Sequence, residues 1–225
     1  MAARRSRDRA VVYGRNAVAE AERGRRRVHR VWRAPEVDAA ELTRLAGSPD
    51  HQGVVAEVDA YPYAEATSLL DAPDAFVVAL DQVQDPRNLG AVCRSAEVAG
   101  AAGVVVPARR SAAVTPVAAK ASAGAVEHLA VARVRNLAEW VGGAKRDGAW
   151  VYGASADAPT RYDAIDWSGR VVLVLGGEGK GIRPRVAGAC DATIAIPQRG
   201  RIRSLNVAAA ASVLLFEAAR QRGTP

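Results

Sequence analysis

The run Val171-Val172-Leu173-Val174-Leu175-Gly176-Gly177-Glu178-Gly179-Lys180-Gly181 decides how the chain is read. Five consecutive apolar residues, three of them β-branched, suit a strand covered on both faces, and the glycines that follow end it abruptly. A second such run, Phe76-Val77-Val78-Ala79-Leu80, stops at Asp81. Outward from these two, strands are predicted at 104–106, 129–134, 150–152 and 193–196. They alternate with helices at 89–99, 116–124, 137–146, 183–188 and 206–220. That alternation predicts an α/β domain with a mostly parallel sheet and helices on both faces. Ligands of such sheets gather beyond the carboxyl ends of the strands. Three ends are loaded here, at 81–90, 176–181 and 197–206.

The glycine loop is not a P-loop. That motif needs a glycine separated by four residues from its Gly-Lys and a Ser or Thr after it, where this chain has Val174 and Gly181. No Gly-x-Gly-x-x-Gly follows an early strand either. Four glycines in six residues still demand a tight path or backbone lying against a ligand.

The chain has 225 residues, 49% hydrophobic and 24% charged, which suits one or two folded domains without staples. Cys93 and Cys190 are the only cysteines, too few for a zinc or iron–sulfur set, so no metal is expected. The longest apolar run, 207–216, is half a membrane span, and the arginine-studded N-terminus lacks the apolar core of a signal peptide. A cytoplasmic protein without a membrane partner is expected. Residues 1–33 carry eleven arginines against three acids, a net of +8, while the remainder carries twenty basic and twenty-one acidic side chains. Arginine-rich patches suit the phosphates of a nucleic acid.

Residues 1–10 read as a disordered basic arm, 11–60 as a small α/β unit, 61–75 as a linker and 76–222 as the main domain. In the first loaded loop, Asp85-Pro86-Arg87-Asn88-Leu89-Gly90, Asn88 is placed to cap the helix begun by Leu89, and Arg94 follows by nearly two turns. In the third, Ser204 and Asn206 precede the last helix, and either could cap it.

These loops resemble the three motifs of the SpoU/TrmH family of RNA ribose 2′-O-methyltransferases. The stretches are Asp85 to Arg94, Leu173 to Gly181, and Ile196-Pro197 through Ser204-Leu205-Asn206-Val207-Ala208. Weaker similarity reaches 12–18 and His51-Gln52-Gly53 in the small unit. Arg109-Arg110-Ser111-Ala112 and 120–125 look like the branch that modifies a guanosine of 23S rRNA.

The resemblance implies a SPOUT-type trefoil-knot domain, S-adenosylmethionine as cofactor, and a homodimer with the site near the subunit interface. It also implies a preceding L30e-like RNA-binding domain. Here that domain is shortened, since about twenty residues between Trp32 and Asp38 are missing. Carried over residue by residue, Arg94, Asn88, Glu178, Ser204 and Asn206 are the expected catalytic set. Gly153, Ala154, Gly176, Ile196 and Leu205 are expected around the cofactor. Arg15, Arg25, Arg26, Arg27, Arg199 and Arg201 are the expected RNA contacts. Methylation of a tRNA ribose, an antibiotic-resistance rRNA methyltransferase and a non-catalytic RNA-binding protein are the alternatives.

Overall fold

A computed structural model describes residues 9–177, 179–202 and 204–223. Most of the expected basic arm lies outside these, but Arg9 and Ala10 are ordered in the first strand. The small unit comprises β1 (Arg9–Tyr13), α1 (Arg15–Arg23), β2 (Val28–Arg33), α2 (Ala39–Ala46) and β3 (Val54–Asp59). Its antiparallel sheet has the order β1-β3-β2. α1 turns Ala17, Val18 and Ala21 inward. α2 starts where Asp38 accepts a hydrogen bond from the Glu41 N–H, and stops at Gly47 in the left-handed region. Only residues 34–38 separate β2 from α2, which leaves no room for a further helix and strand.

The segment 61–75 is not a loose linker. The Tyr61 hydroxyl donates to the carbonyls of Val126 and Leu129 at 3.0 and 3.1 Å, and the Ala64 N–H donates to Val131 at 2.9 Å. Leu69 and Leu70 are buried. Its sparse apolar residues are spent on packing rather than on periodic structure.

The main domain comprises β4 (Phe76–Asp81), α3 (Pro86–Val98), β5 (Gly103–Pro107), α4 (Pro116–Ala121), β6 (Ala130–Val134) and α5 (Leu137–Arg146). These are followed by β7 (Trp150–Ala154), β8 (Thr160–Arg161), β9 (Val171–Gly176), α6 (Pro184–Ala187), β10 (Ala192–Ala195) and α7 (Val207–Gln221). The strand order is β6-β5-β4-β9-β7-β10-β8, and every pairing is parallel. The two runs that opened the reading are neighbours at the centre, in register from Phe76–Val171 to Asp81–Gly176. Along β4 the side chains alternate. Phe76, Val78 and Leu80 join a core with α3 and α7, while Val77 and Ala79 join one with α5 and α6.

One helix start differs from expectation, and one that the sequence left open between two caps is decided. Asp85, not Asn88, caps α3, accepting from the Arg87 N–H at 2.7 Å with Pro86 in the first turn. Asn206, not Ser204, caps α7.

The small unit is fastened to the main domain through a buried ion pair. Arg26 is 7% exposed and Glu127 1% exposed. Arg26 Nε donates to Glu127 Oε2 at 2.9 Å, and its Nη2 donates to Oε1. The same guanidinium lies over the Tyr61 ring.

Candidate active site

The end of β9 is built around a contact that only glycine permits. A Cβ on Gly176 would stand 2.0 Å from the Gly181 carbonyl carbon and 2.3 Å from Ile182 N. The loop therefore doubles back on the strand end. The Gly181 N–H donates to the Gly177 carbonyl at 3.1 Å, and the Gly177 N–H to the Asp81 carbonyl at 2.8 Å. Asp81, fully buried at the end of β4, holds the far side of the loop. Its Oδ2 accepts from the Arg183 N–H at 2.8 Å, and the Arg183 guanidinium reaches Oδ1 at 2.6 Å. The bond to Asp81 raises the Arg183 pKa above its ordinary value. The sequence reading missed this pair. The available signal was a charged residue completing a strand buried on both faces.

Between the glycine loop, β10 and the segment before α7 lies a cleft of about 460 Å³, within the range of ~300–1,000 Å³ typical of small-molecule sites. Four of the five expected cofactor residues, Ala154, Gly176, Ile196 and Leu205, line it, and so does Ser204. Gly153 stands behind, packed so that a Cβ there would meet Ile182 and Cys190 at 3.1 and 3.2 Å. Apolar walls from Leu175, Ile182, Ile194 and Val207 suit a flat ring, and the exposed backbone of the glycine loop suits its polar edge and a ribose. The crowding at Gly176 keeps side-chain bulk out of this cradle. These features fit S-adenosylmethionine, with no charged side chain needed to hold its adenosine part.

A second groove of about 510 Å³ adjoins the cleft, sharing Gly177, Lys180, Gly181 and Val207 with it. Asn88 and Arg110 line this groove. Here two motifs meet. Asn206 Nδ2 donates to Asn88 Oδ1 at 3.0 Å, while Asn206 Oδ1 accepts the N–H groups of Ala208 and Ala209 at 2.9 and 3.3 Å. The cap of α7 thus also orients a side chain on the first turn of α3.

Arg94 is placed differently. It is exposed on α3, has no hydrogen-bond or ion-pair partner among the described residues, and lines neither cavity. Glu178 lies outside the described residues. Arg199 and Arg201 are exposed before α7, and Arg27 is exposed before β2. Arg15 is also exposed, with its Nε donating to the Gln52 carbonyl at 3.3 Å. Arg26 corrects the expectation of RNA contact, because its guanidinium is buried against Glu127. Arg25 is likewise engaged, donating to the carbonyls of Glu127 and Leu129 at 3.1 and 2.7 Å. Burial pushes the thiol of Cys93 up to about 12 and that of Cys190 up to about 11, so neither supplies a thiolate nucleophile at neutral pH. Among the described residues no cluster of three metal-ligating side chains occurs, and no helix is long and apolar enough to cross a membrane.

Comparison with known proteins follows the same division. The model of the SpoU rRNA Methylase family matches residues 75–216. The chain belongs to the SpoU rRNA methylase family. The model described as RNA 2′-O ribose methyltransferase substrate binding matches residues 33–64, the later part of the small unit and the first residues of the segment after it. A TrmH family tRNA/rRNA methyltransferase of Bacillus subtilis, YacO, is 38% identical over 237 residues, covering 94% of this chain and 95% of that protein. A tRNA/rRNA methyltransferase of Mycolicibacterium vanbaalenii is 45% identical over 192 residues, covering 83% of this chain. The match spans only 61% of that protein's length. Among solved structures, the SpoU methyltransferase AviRb of Streptomyces viridochromogenes with AdoMet bound superposes with a TM-score of 0.81 at 27% identity, covering 98% and 93% of the two chains. An AdoMet-bound rRNA methyltransferase of Sinorhizobium meliloti gives 0.84 at 26% identity, covering 96% and 89%. As a SpoU/TrmH member the chain is an S-adenosylmethionine-dependent RNA 2′-O-ribose methyltransferase.

Proposed function

We propose that this SpoU methylase transfers a methyl group to the ribose 2′-hydroxyl of a guanosine in 23S rRNA, in the cytoplasm. In this reading it works as a homodimer of knotted domains. The observation that carries the chemistry is the Asn88–Asn206 bond, which fixes two amide side chains at the mouth between the cofactor cleft and the adjoining groove. A ribose hydroxyl held there needs alignment with the methyl group and a counter-charge for its forming alkoxide. The bound cofactor supplies the sulfonium methyl. Asn88 orients the ribose, Ser204 closes the cleft on the cofactor side, and a guanidinium stabilises the alkoxide. Guanidinium is too weak a base to take the proton, which passes to solvent water as the O–CH3 bond forms and the S–CH3 bond breaks.

Arg94 lines neither cavity of its own chain, which supports a site completed by Arg94 of a second copy. α3 and α7 offer the surface for that copy. Val98 lies one turn beyond Arg94 on the exposed face of α3, and Ala209, Val213 and Phe216 form an exposed stripe on α7. The choice of 23S rRNA rests on the similarity of 109–112 and 120–125 to the guanosine-modifying branch. The test is to map 2′-O-methyl groups on total RNA from cells with and without the protein, and to label naked RNAs with the purified enzyme. Loss of one guanosine methyl in 23S rRNA is expected. Loss of a tRNA methyl instead would replace the target, and no lost methyl on any RNA would overturn the reading.

A further inference from the structure

Arg110 stands out on backbone grounds. It is a non-glycine residue at φ 57°, in the left-handed region that disfavours a Cβ. The conformation is imposed by the loop after β5, where the Ser111 hydroxyl and the Ala112 N–H both donate to the Val83 carbonyl, at 3.2 and 2.8 Å. Such strain persists only where neighbours hold it, and here it delivers a long cation to the groove that Asn88 lines. Lys180, from the glycine loop, lines the same groove. Neither cation has a hydrogen-bond or ion-pair partner among the described residues, unlike Arg26 or Arg183. Among the described residues the acid that lines the groove is Asp85, and it is engaged by the first turn of α3, accepting from the Arg87 N–H at 2.7 Å.

We propose that Arg110 and Lys180 form a seat for a backbone phosphate of the RNA strand, beside the nucleotide whose ribose reaches Asn88. The inference rests on the methyltransferase reading of the site and extends it to the flanking strand. A phosphate seat fixes the register of the strand without reading sequence. Of the two cations, Lys180 also lines the cofactor cleft, whereas Arg110 lines the groove and not the cleft. Arg110 is thus a substrate-binding residue for the strand, and the methyl donor is held without it.

The test uses the full-length protein and a single-stranded RNA of about ten nucleotides, a length near one single-strand binding site. Binding is measured over a series of salt concentrations, and S-adenosylmethionine binding is measured separately. Arg110→Gly removes the charge and relieves the strained φ, so it keeps the fold. Arg110→Ala removes the charge with the strain retained, and Arg110→Lys keeps a point charge. Both neutral variants are expected to lower RNA affinity by about tenfold and to reduce the salt slope by about 0.7, one single-strand phosphate contact. Cofactor affinity should be unchanged in both. Arg110→Lys should restore the slope, and Lys180→Ala should lower it as the neutral variants do. An unchanged slope in Arg110→Gly and Arg110→Ala overturns the seat. A wild-type protein that shows the Arg110-dependent slope but methylates no RNA overturns the methyltransferase reading and leaves the seat standing.

Discussion

Arg94 projects from α3 without a partner among the described residues, so Arg94→Ala should leave the melting temperature and S-adenosylmethionine affinity unchanged. Single-turnover methyl transfer should nevertheless fall on the order of 10²-fold or more, the scale of losing one preorganised donor to a developing oxyanion. A wild-type rate in the folded variant would remove Arg94 from the chemistry. Asp81 and Arg183 give the opposite pattern. Arg183→Met leaves the fully buried Asp81 carboxylate with the Arg183 N–H but without the guanidinium, and should destabilise the fold by ~1–3 kcal/mol. Thermal melts at neutral pH check this, and a wild-type melting temperature refutes it. Because the pair pins the glycine loop, the same variant should weaken cofactor binding at neutral pH.

Among the elements, β4 and β9 were legible because burial on both faces writes a continuous apolar run. β8 was not, since Thr160 and Arg161 form a two-residue edge strand with no apolar pattern to show. The start of α3 was read three residues late. Asp85 and Asn88 are both capping types, and the proline between them favours the earlier start, because proline suits the first helical turn. For α7, both Ser204 and Asn206 fitted the pattern, and the choice needed the Asn88 contact across 118 residues. The exposed stripe of α7 belongs to this scale as well. Phe216 is 51% exposed and Val213 38%, and charging both (Val213→Glu with Phe216→Glu) should convert a dimer to a monomer. Sedimentation equilibrium would show it, and a variant that remains dimeric would assign the interface elsewhere.

At the scale of the whole molecule, the run Arg25-Arg26-Arg27 shows where sequence reading stops. Three adjacent arginines read as one solvent-facing patch, yet they divide among a carbonyl pair, a buried carboxylate and solvent. The carboxylate is 101 residues away, and nothing local announces it. Glu127→Ala should destabilise the chain by ~3–5 kcal/mol in urea unfolding, because Arg26 is left buried and unpaired. Arg26→Met combined with Glu127→Leu should recover most of that loss, and a double variant as unstable as the single one would show that the pair contributes more than charge compensation. The same fastening has a consequence for the substrate. A reading module tied at Arg26 and Tyr61 behaves as a fixed calliper, with the gap between its jaws set before any RNA arrives. Any adjustment on binding then falls on the nucleic acid rather than on the protein. Nucleotides in pliant loops are therefore favoured over those locked in continuous helix, and selection of the target is partly a selection for deformability.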